Sequence, residues 1–295
     1  MMDSKLITFI QVAQLKSYTK AAEMLNLTQP AVTQHIRHLE ENYKVKLIKR
    51  IGRHIALTEE GELLLQYAKE FDSKAVAVER KLRNKSALVK RYNIGATLTI
   101  GEYVLPQLLG KHKRFNSHID IILQVSNLEA IVKKLISGEI DLGIVEGPFD
   151  TSKFFYEKLK DDELVLVTSP LNSFVKRSKV KMTDVIGSGK LIHREKGSGT
   201  RLVFENKLLE LGYSLSDVQV YMEVGSIGAI KSLVEANLGY TIISKEAVKR
   251  EIDAGSLVMI PIEGVRIMRE FNFIYLDHSP KDFLSGFMNF LIKSM

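Results

Sequence analysis

The chain has 295 residues, 45% hydrophobic and 26% charged, with 19 Gly and only 6 Pro, enough apolar surface for real cores and enough length for two or more domains. It has no Cys, which excludes a disulfide framework, thiolate zinc sites and a cysteine nucleophile. The net charge is +7 and is concentrated at one end: residues 1–91 hold 17 Lys and Arg against 10 Asp and Glu, whereas residues 92–295 hold 25 of each. A basic segment ahead of a charge-neutral body suits a nucleic-acid binder with a separate second function. No apolar run approaches the ~18 residues of a membrane-spanning helix. Residues 1–14 mix Asp3, Lys5 and Gln11 into their apolar side chains, as an amphipathic helix does and a secretory signal does not. No membrane partner and a cytoplasmic location are expected.

In residues 4–14, Leu6, Phe9, Ile10 and Ala13 recur at i, i+3, i+4 and i+7, predicting a first helix. Residues 16–19 break that pattern. Residues 20–25 predict a short second helix in which Ala21 and Ala22 permit close packing. After a turn at 26–28, Thr28 suits a helix N-cap and Pro30 the first turn of a third helix. That helix buries Val32, Ile36 and Leu39 and turns Gln29, Thr33, Gln34 and Arg37 outward. Together these form a helix-turn-helix. Residues 47–50 and 54–57 flank 51–53 and predict a basic β-hairpin with glycine in its turn.

Thr58 suits the cap of the next helix, with Glu59, Glu60 and Glu62 near the positive end of its dipole. Along it, Leu64, Ala68, Phe71, Ala75, Val78 and Leu82 follow spacings of 4, 3, 4, 3 and 4, a heptad seam. The charged neighbours Lys69, Asp72, Lys74, Arg80 and Lys81 favour pairing with a second copy of the chain over packing on its own domain. From about residue 91 short apolar runs at 92–96, 119–125, 142–145, 164–168, 191–193, 218–224 and 240–243 alternate with helical stretches. The helices are expected near 104–115, 128–137, 200–211, 227–236 and 245–252, before a return crossing at 252–265, a strand at 271–276 and a helix at 281–293. Strand–helix alternation predicts an α/β body with mostly parallel sheets.

Three strand-to-helix junctions carry hydroxyls or glycines: Thr97 and Thr99, Ser126 and Asn127, and Ser198, Gly199 and Thr200, with Ser226 as a fourth. Free N–H groups and the helix dipole make each a weak anion site, at the strand ends where α/β folds gather ligands. The Gly-Ser-Gly-Thr run lacks the lysine of a nucleotide P-loop. His35 and His38 lack a third ligand and read as surface histidines, so no metal is expected. His112, His118, His193 and His278 are scattered, and no nucleophile elbow or paired carboxylates stand out. Asp141 and Glu146 read as strand-end structure. Neither an enzyme nor a cofactor is expected. A two-lobed solute-binding protein remains the alternative, explaining the body but not the basic amino end.

The run Leu6, Phe9, Val12, Ser17, Ala21-Ala22, Leu25, Thr28-Gln29-Pro30-Ala31-Val32-Thr33, Ile36, Leu39-Glu40, Leu47, Arg50, Arg53, Leu57-Thr58 and Gly61 resembles the DNA-binding end of LysR-type transcriptional regulators. Residues 94–97, 138–143, 197–201 and 225–231 look like the family's regulatory domain. Three positions depart: Ile48 stands where Phe is usual, and Lys44 and Lys16 where Gly is common. The resemblance implies a winged helix-turn-helix over 1–58, a linker and dimerisation helix over 59–88 and an effector-binding α/β domain over 89–295, two-lobed and like periplasmic binding proteins. Lobe I would comprise 89–161 and 266–295, lobe II 162–265. It implies double-stranded DNA as partner, read by Thr28, Gln29, Pro30, Thr33 and Gln34, with Arg37 and the wing residues Arg50, Arg53 and His54 set towards phosphates or the minor groove. It places a small carboxylate or oxyanion effector at Thr97, Thr99, Ser126, Asn127, Ser198, Gly199, Thr200 and Ser226. A homo-oligomer, dimer or dimer of dimers, and RNA polymerase are the further partners expected.

Overall fold

The computed structural model describes residues 3–51, 54–86, 89–277 and 279–295. The chain divides into two compact units, Met1–Ala87 with Ile136–Glu139, and Leu88–Leu135 with Ile140–Met295. In the first, α1 (Ser4–Leu15), α2 (Tyr18–Leu25) and α3 (Gln29–Tyr43) lead to a hairpin of β1 (Ile48–Ile51) and β2 (His54–Leu57), followed by α4 (Glu59–Ser86). Each of the first three helices begins on a side-chain cap: Asp3, Ser17 and Thr28 accept from the N–H groups of Lys5, Lys20 and Ala31. Each ends on a left-handed residue, Lys16 (φ 49°), Asn26 (φ 53°) and Lys44 (φ 54°). Lys16 and Lys44 are the positions at which the resembled family commonly has glycine. A side chain there costs on the order of 1 kcal/mol of backbone strain.

Phe9, Val12, Ala21, Ala22, Val32, Ile36, Leu39 and Leu47 form this unit's core, and Ile48 packs partly buried against it. The small side chains of Ala21 and Ala22 let α2 lie close to α1 and α3.

The second unit is built on one mixed nine-stranded sheet, in the order β4 (Ile119–Ser126), β3 (Lys90–Thr97), β5 (Leu142–Glu146), β11 (Ile267–Tyr275), β6 (Phe155–Thr168), β9 (Tyr240–Ser244), β7 (Leu191–Arg194) and β8 (Val220–Val224), with β10 (Val258–Ile260) on β6. Parallel pairs occupy the two ends: β3 with β4 and β5, and β7 with β8 and β9. The middle is antiparallel, where β11 pairs with β5 and β6, and β6 with β9 and β10. The expected mostly parallel arrangement is therefore corrected. β6 carries the chain out of one lobe and β11 carries it back, so as neighbours they must run in opposite directions.

Both strands are longer than their apolar runs of 164–168 and 271–276. Lys158, Lys160, Asp161, Asp162 and Glu163 on β6, and Arg269 and Glu270 on β11, interrupt the hydrophobic signal where the strands cross between lobes. The short α7 (Met182–Gly187) and β10 also escape the sequence reading.

Helices α5 (Leu105–Phe115), α6 (Leu128–Ile136) and α11 (Lys281–Lys293) belong to the first lobe, whose core includes Ile94, Ile144, Phe271, Phe273 and Phe287. Helices α8 (Gly199–Glu210), α9 (Ile227–Glu235) and α10 (Lys245–Asp253) belong to the second. There the sheet is covered on both faces: Leu166, Phe204 and Tyr240 lie in one cluster, Val167, Ile192, Ile230 and Ile243 in the other. Among the described residues, no helix is long and apolar enough to cross a membrane.

Candidate nucleic-acid interface and effector cleft

The apolar side of α3 is committed to the core, which leaves its other side to solvent. Thr28, Gln29, Pro30, Thr33, Gln34 and Arg37 are all exposed. Gln29 Nε2 donates to Thr33 Oγ1 at 3.3 Å, and that hydroxyl donates to the Gln29 carbonyl at 3.0 Å. Gln34 has no hydrogen-bond partner among the described residues. Arg37 Nε lies 2.9 Å from Glu41 Oε1, a surface pair with both side chains well solvated. Such a pair is worth little and is easily exchanged for a phosphate.

His35 departs from its reading as a surface histidine. Thr8 Oγ1 donates to the Ser4 carbonyl at 2.9 Å, so its lone pair is what meets His35 Nδ1 at 2.8 Å, and the ring N–H donates. This bond ties α3 to α1 and sets the rotation of the exposed face.

Arg50 and His54 are exposed on the wing, whereas Arg53 lies outside the described residues. The wing is anchored by Glu40, near the end of α3. Its Oε1 accepts from the N–H groups of Leu47 (3.0 Å) and Ile48 (3.3 Å), and its Oε2 from Lys46 Nζ at 2.7 Å. Burial pushes this carboxyl up, but the Lys46 ammonium and the two N–H groups outweigh it and hold it below the usual range. On the other side Thr58 Oγ1 donates to the Lys46 carbonyl at 2.6 Å and accepts from Gly61 N at 3.0 Å. A Cβ on Gly61 would stand 2.0 Å from the Leu47 carbonyl oxygen, so only glycine lets α4 start this close to the wing.

Along α4 the expected seam splits. Leu64 packs against the unit's own core and Ala68 is buried, so neither is free for a partner. Ala75 is half-buried, while Phe71, Val78 and Leu82 are exposed by 66%, 56% and 63%. Leu63 and Tyr67 are also exposed and extend this free stripe towards the helix start. The side chains of Arg80 and Lys81 lie outside those described.

In the second unit, Thr97 ends β3 and Thr99 leads into a π-helical turn, Ile100–Val104. Both are buried, as are Ser198 and Thr200 at the start of α8. Arg269 of β11 joins two of them, Thr99 and Thr200. Its Nη1 donates to Thr200 Oγ1 at 3.0 Å, its Nη2 to Thr99 Oγ1 at 3.4 Å and its Nε to Asp162 Oδ2 at 2.7 Å. Asp162 faces Arg269 directly across the β6–β11 ladder, and its other oxygen accepts from Ser244 Oγ at 2.9 Å. Glu146, the last residue of β5, accepts from the Thr97 hydroxyl and lies 3.9 Å from Arg269 Nη1.

Burial pushes the Glu146 carboxyl up to about 7 despite Arg269, the Thr99 hydroxyl and Arg194, which favour its charge. Arg194, also buried, is engaged by Glu195 through both carboxylate oxygens, at 2.7 and 2.8 Å. The backbones meet as closely as the side chains: a Cβ on Gly199 would stand 2.2 Å from the Glu146 carbonyl oxygen, and one on Gly147 2.8 Å from Gly199 Cα. Asn127 caps α6 through Ala130 N at 2.9 Å and, like Ser126, is half-buried at the first lobe's strand ends. Ser226 is exposed and its hydroxyl caps α9 through Ala229 N at 3.3 Å, so the structure gives it a capping role apart from this cluster.

The family described as "Bacterial regulatory helix-turn-helix protein, lysR family" matches residues 4–62, and the one described as "LysR substrate binding domain" matches residues 85–295. The chain belongs to the LysR family of transcriptional regulators. Among LysR relatives, the HTH-type transcriptional activator CmpR of Synechocystis is 32% identical over 267 residues, covering 90% of this chain and 86% of CmpR. Full-length CbnR, solved with its target DNA, aligns over 100% of both chains at 18% identity and a TM-score of 0.71. The regulatory domain of Synechocystis CcmR, solved in complex with 2-PG, is 27% identical, with a TM-score of 0.60 over 68% of this chain and 96% of that one. As a LysR regulator, the chain joins a DNA-binding helix-turn-helix unit to a two-lobed effector-binding α/β domain.

Of the residues singled out in the LysR regulatory domain, the structure brings Thr97, Thr99, Gly199 and Thr200 together. The side chains that organise them, Arg269, Asp162 and Glu146, were not among the candidates. Glu146 corrects its reading as strand-end structure, because its carboxyl group faces the threonines. Asp141 retains that reading: it accepts from Asn93 N at 2.9 Å, and its own N–H donates to the Asn93 carbonyl at 2.7 Å.

Proposed function

We propose that the exposed side of α3 reads operator DNA in the major groove, that the free stripe of α4 pairs two copies of the chain, and that a small anion between the lobes biases the DNA contacts. In this reading the winged unit occupies 1–58, the linker helix 59–88 and the regulatory domain 89–295, with lobe I at 89–161 and 266–295 and lobe II at 162–265. Gln29, Thr33 and Gln34 meet base edges and Pro30 a thymine methyl. Arg37, Arg50, Arg53 and His54 hold phosphates or the minor groove. The assembly is a dimer or a dimer of dimers, with RNA polymerase as a further partner. The chain performs no catalysis; it releases its ligand unchanged.

The observation that carries the DNA reading is the exposure of the whole polar side of α3, from Gln29 to Arg37, on a helix whose other side is core. For the effector, it is the convergence of hydroxyls from both lobes on one buried guanidinium. The 2-PG bound by CcmR supports a small acid as ligand class. Such a ligand acts as a switch only if it binds one assembly geometry better than another. Titration calorimetry with a panel of small carboxylates and oxyanions tests the cleft. Binding weakened by Thr97→Ala and Thr200→Ala supports it, and affinities untouched by both changes refute it.

A further inference from the structure

The buried cluster has a feature that four hydroxyl-bearing strand ends do not explain: it already contains a cation and its counter-ions. Arg269 sits on the returning strand, between the lobes, and its donors are divided among lobe I (Thr99), lobe II (Thr200) and the outgoing strand (Asp162). Its contacts with the two carboxylates differ. Asp162 is held at 2.7 Å by the guanidinium Nε, and its other oxygen is held at 2.9 Å by Ser244, so both oxygens are engaged inside the second lobe's framework. Glu146 stands 3.9 Å from Nη1, beyond hydrogen-bond distance, and is otherwise met by hydroxyls. The arginine is thus firmly paired on one side and loosely on the other.

We propose that Arg269 is the group that takes the effector's anionic end, and that Glu146 is the internal carboxylate the effector displaces, taking up a proton as it leaves. This rests on the anion-effector reading above and names the residue that reads the charge. The groups facing Glu146 make the exchange charge-consistent. They are Arg269 from β11, Arg194 from β7, Asp162 from β6 and the hydroxyls of Thr97 and Thr99. Arg194 is answered by Glu195 and Arg269 by Asp162, so with Glu146 neutral the buried charges balance. One added anion brings the same single excess negative charge as an ionised Glu146, whereas both together would leave two uncompensated charges in a dry site. Burial already pushes Glu146 up to about 7, so its neutral form is accessible under ordinary conditions. A hollow of about 480 Å³ has Gly147, Pro148, Arg269 and Asn272 in its lining. Asn272, itself buried on that wall, has a carboxamide oxygen with no partner among the described residues.

The test is calorimetric titration of the full-length protein with acetate and with nitrate, each of which stays a monoanion through the neutral range, so that any pH dependence belongs to the protein. The wild type is expected to bind both, with affinity level below about pH 7 and falling up to about tenfold per pH unit above it. Repeating the titration in buffers of different ionisation enthalpy should show close to one proton taken up per anion on the alkaline side. Glu146→Gln should keep binding and lose both the pH slope and the proton uptake. Arg269→Lys, which preserves the charge but not the three-way geometry, should weaken both anions by at least about tenfold. Binding that is pH-independent in the wild type, or unchanged in slope by Glu146→Gln, overturns this proposal while leaving the cleft reading intact. Failure of the wild type to bind either anion, or binding indifferent to both Thr97→Ala and Thr200→Ala, refutes the anion reading itself, and this inference falls with it.

Discussion

The two polar faces of this chain are built on opposite rules. On α3 the side chains of Gln29, Thr33, Gln34 and Arg37 are solvated, joined by weak local bonds or by none. Around Arg269 every oxygen and nitrogen is packed in, and the cation arrives with its own carboxylates. An open face meets its partner by adding contacts, so its variants should change affinity and leave folding alone. A closed cluster meets a ligand by exchange, so its variants should change stability first.

The largest effect is expected from Arg269→Met, which leaves the buried Asp162 without its counter-ion. Removing one partner of such a pair costs about 3–5 kcal/mol, read as a lowered urea midpoint. Asp162→Asn added in the same chain should restore much of the loss. A single variant as stable as the wild type would show that the pair carries no buried charge.

Next come the groups whose protonation is coupled to folding. His193 is buried against Phe204 with neither ring nitrogen hydrogen-bonded among the described residues and Nε2 3.9 Å from Glu205 Oε1, and burial pushes it down to about 4. Its folded value lies below its ordinary 6.5, so its contribution is complete above 6.5 and is lost as pH falls towards 4. Glu146 works in the opposite sense: raised from 4.5 to about 7, it favours the folded state most below 4.5 and loses that contribution as pH rises through 7. In His193→Met only the second trend remains. The difference in stability between about pH 5 and pH 7 should therefore move by about 2 kcal/mol in favour of acid relative to the wild type. Parallel pH profiles of urea midpoints for the two proteins would contradict this.

On the open side, Phe71→Glu should weaken self-association by roughly 2 kcal/mol, seen in sedimentation as a shift towards monomer with the thermal midpoint little changed. The equivalent change at Ala68 should instead lower the midpoint, because that position is buried. If Phe71→Glu leaves the assembly untouched, the stripe is not the interface. The smallest effect is Lys44→Gly. It relieves a left-handed lysine and should stabilise the winged unit by up to about 1 kcal/mol, while removing a positive charge near the proposed DNA face.

Much of this architecture is legible from residue order. Hydrophobic periodicity finds α1, α3 and α4, the caps Thr28 and Thr58 appear as such, and the flanking strands follow their apolar runs. What is hidden has one physical cause in several places. Where a strand crosses between lobes, both its faces are polar or ionic, so Asp162, Arg269 and the outer halves of β6 and β11 carry no alternating signal. Glu146 follows an apolar strand and looks like a solvated end until Arg269, 123 positions away, is folded beside it. The heptad at Leu64 and Ala68 is misleading for a related reason: one apolar spacing serves both the unit's own core and a partner, and only folding divides it. At Lys16 and Lys44 the left-handed backbone, which residue order alone does not display, accounts for the glycine common there in the family.

The central claim, that the exposed side of α3 reads DNA sequence, is tested most directly by letting the protein select from sheared duplex of its own genome and sequencing what it retains. The wild type should enrich a discrete set of fragments sharing one motif. Gln34→Ala should still retain duplex in low salt but lose enrichment at one base position, about 1–3 kcal/mol of discrimination. Identical fragment sets from the two proteins, with the same relative enrichments, would contradict it.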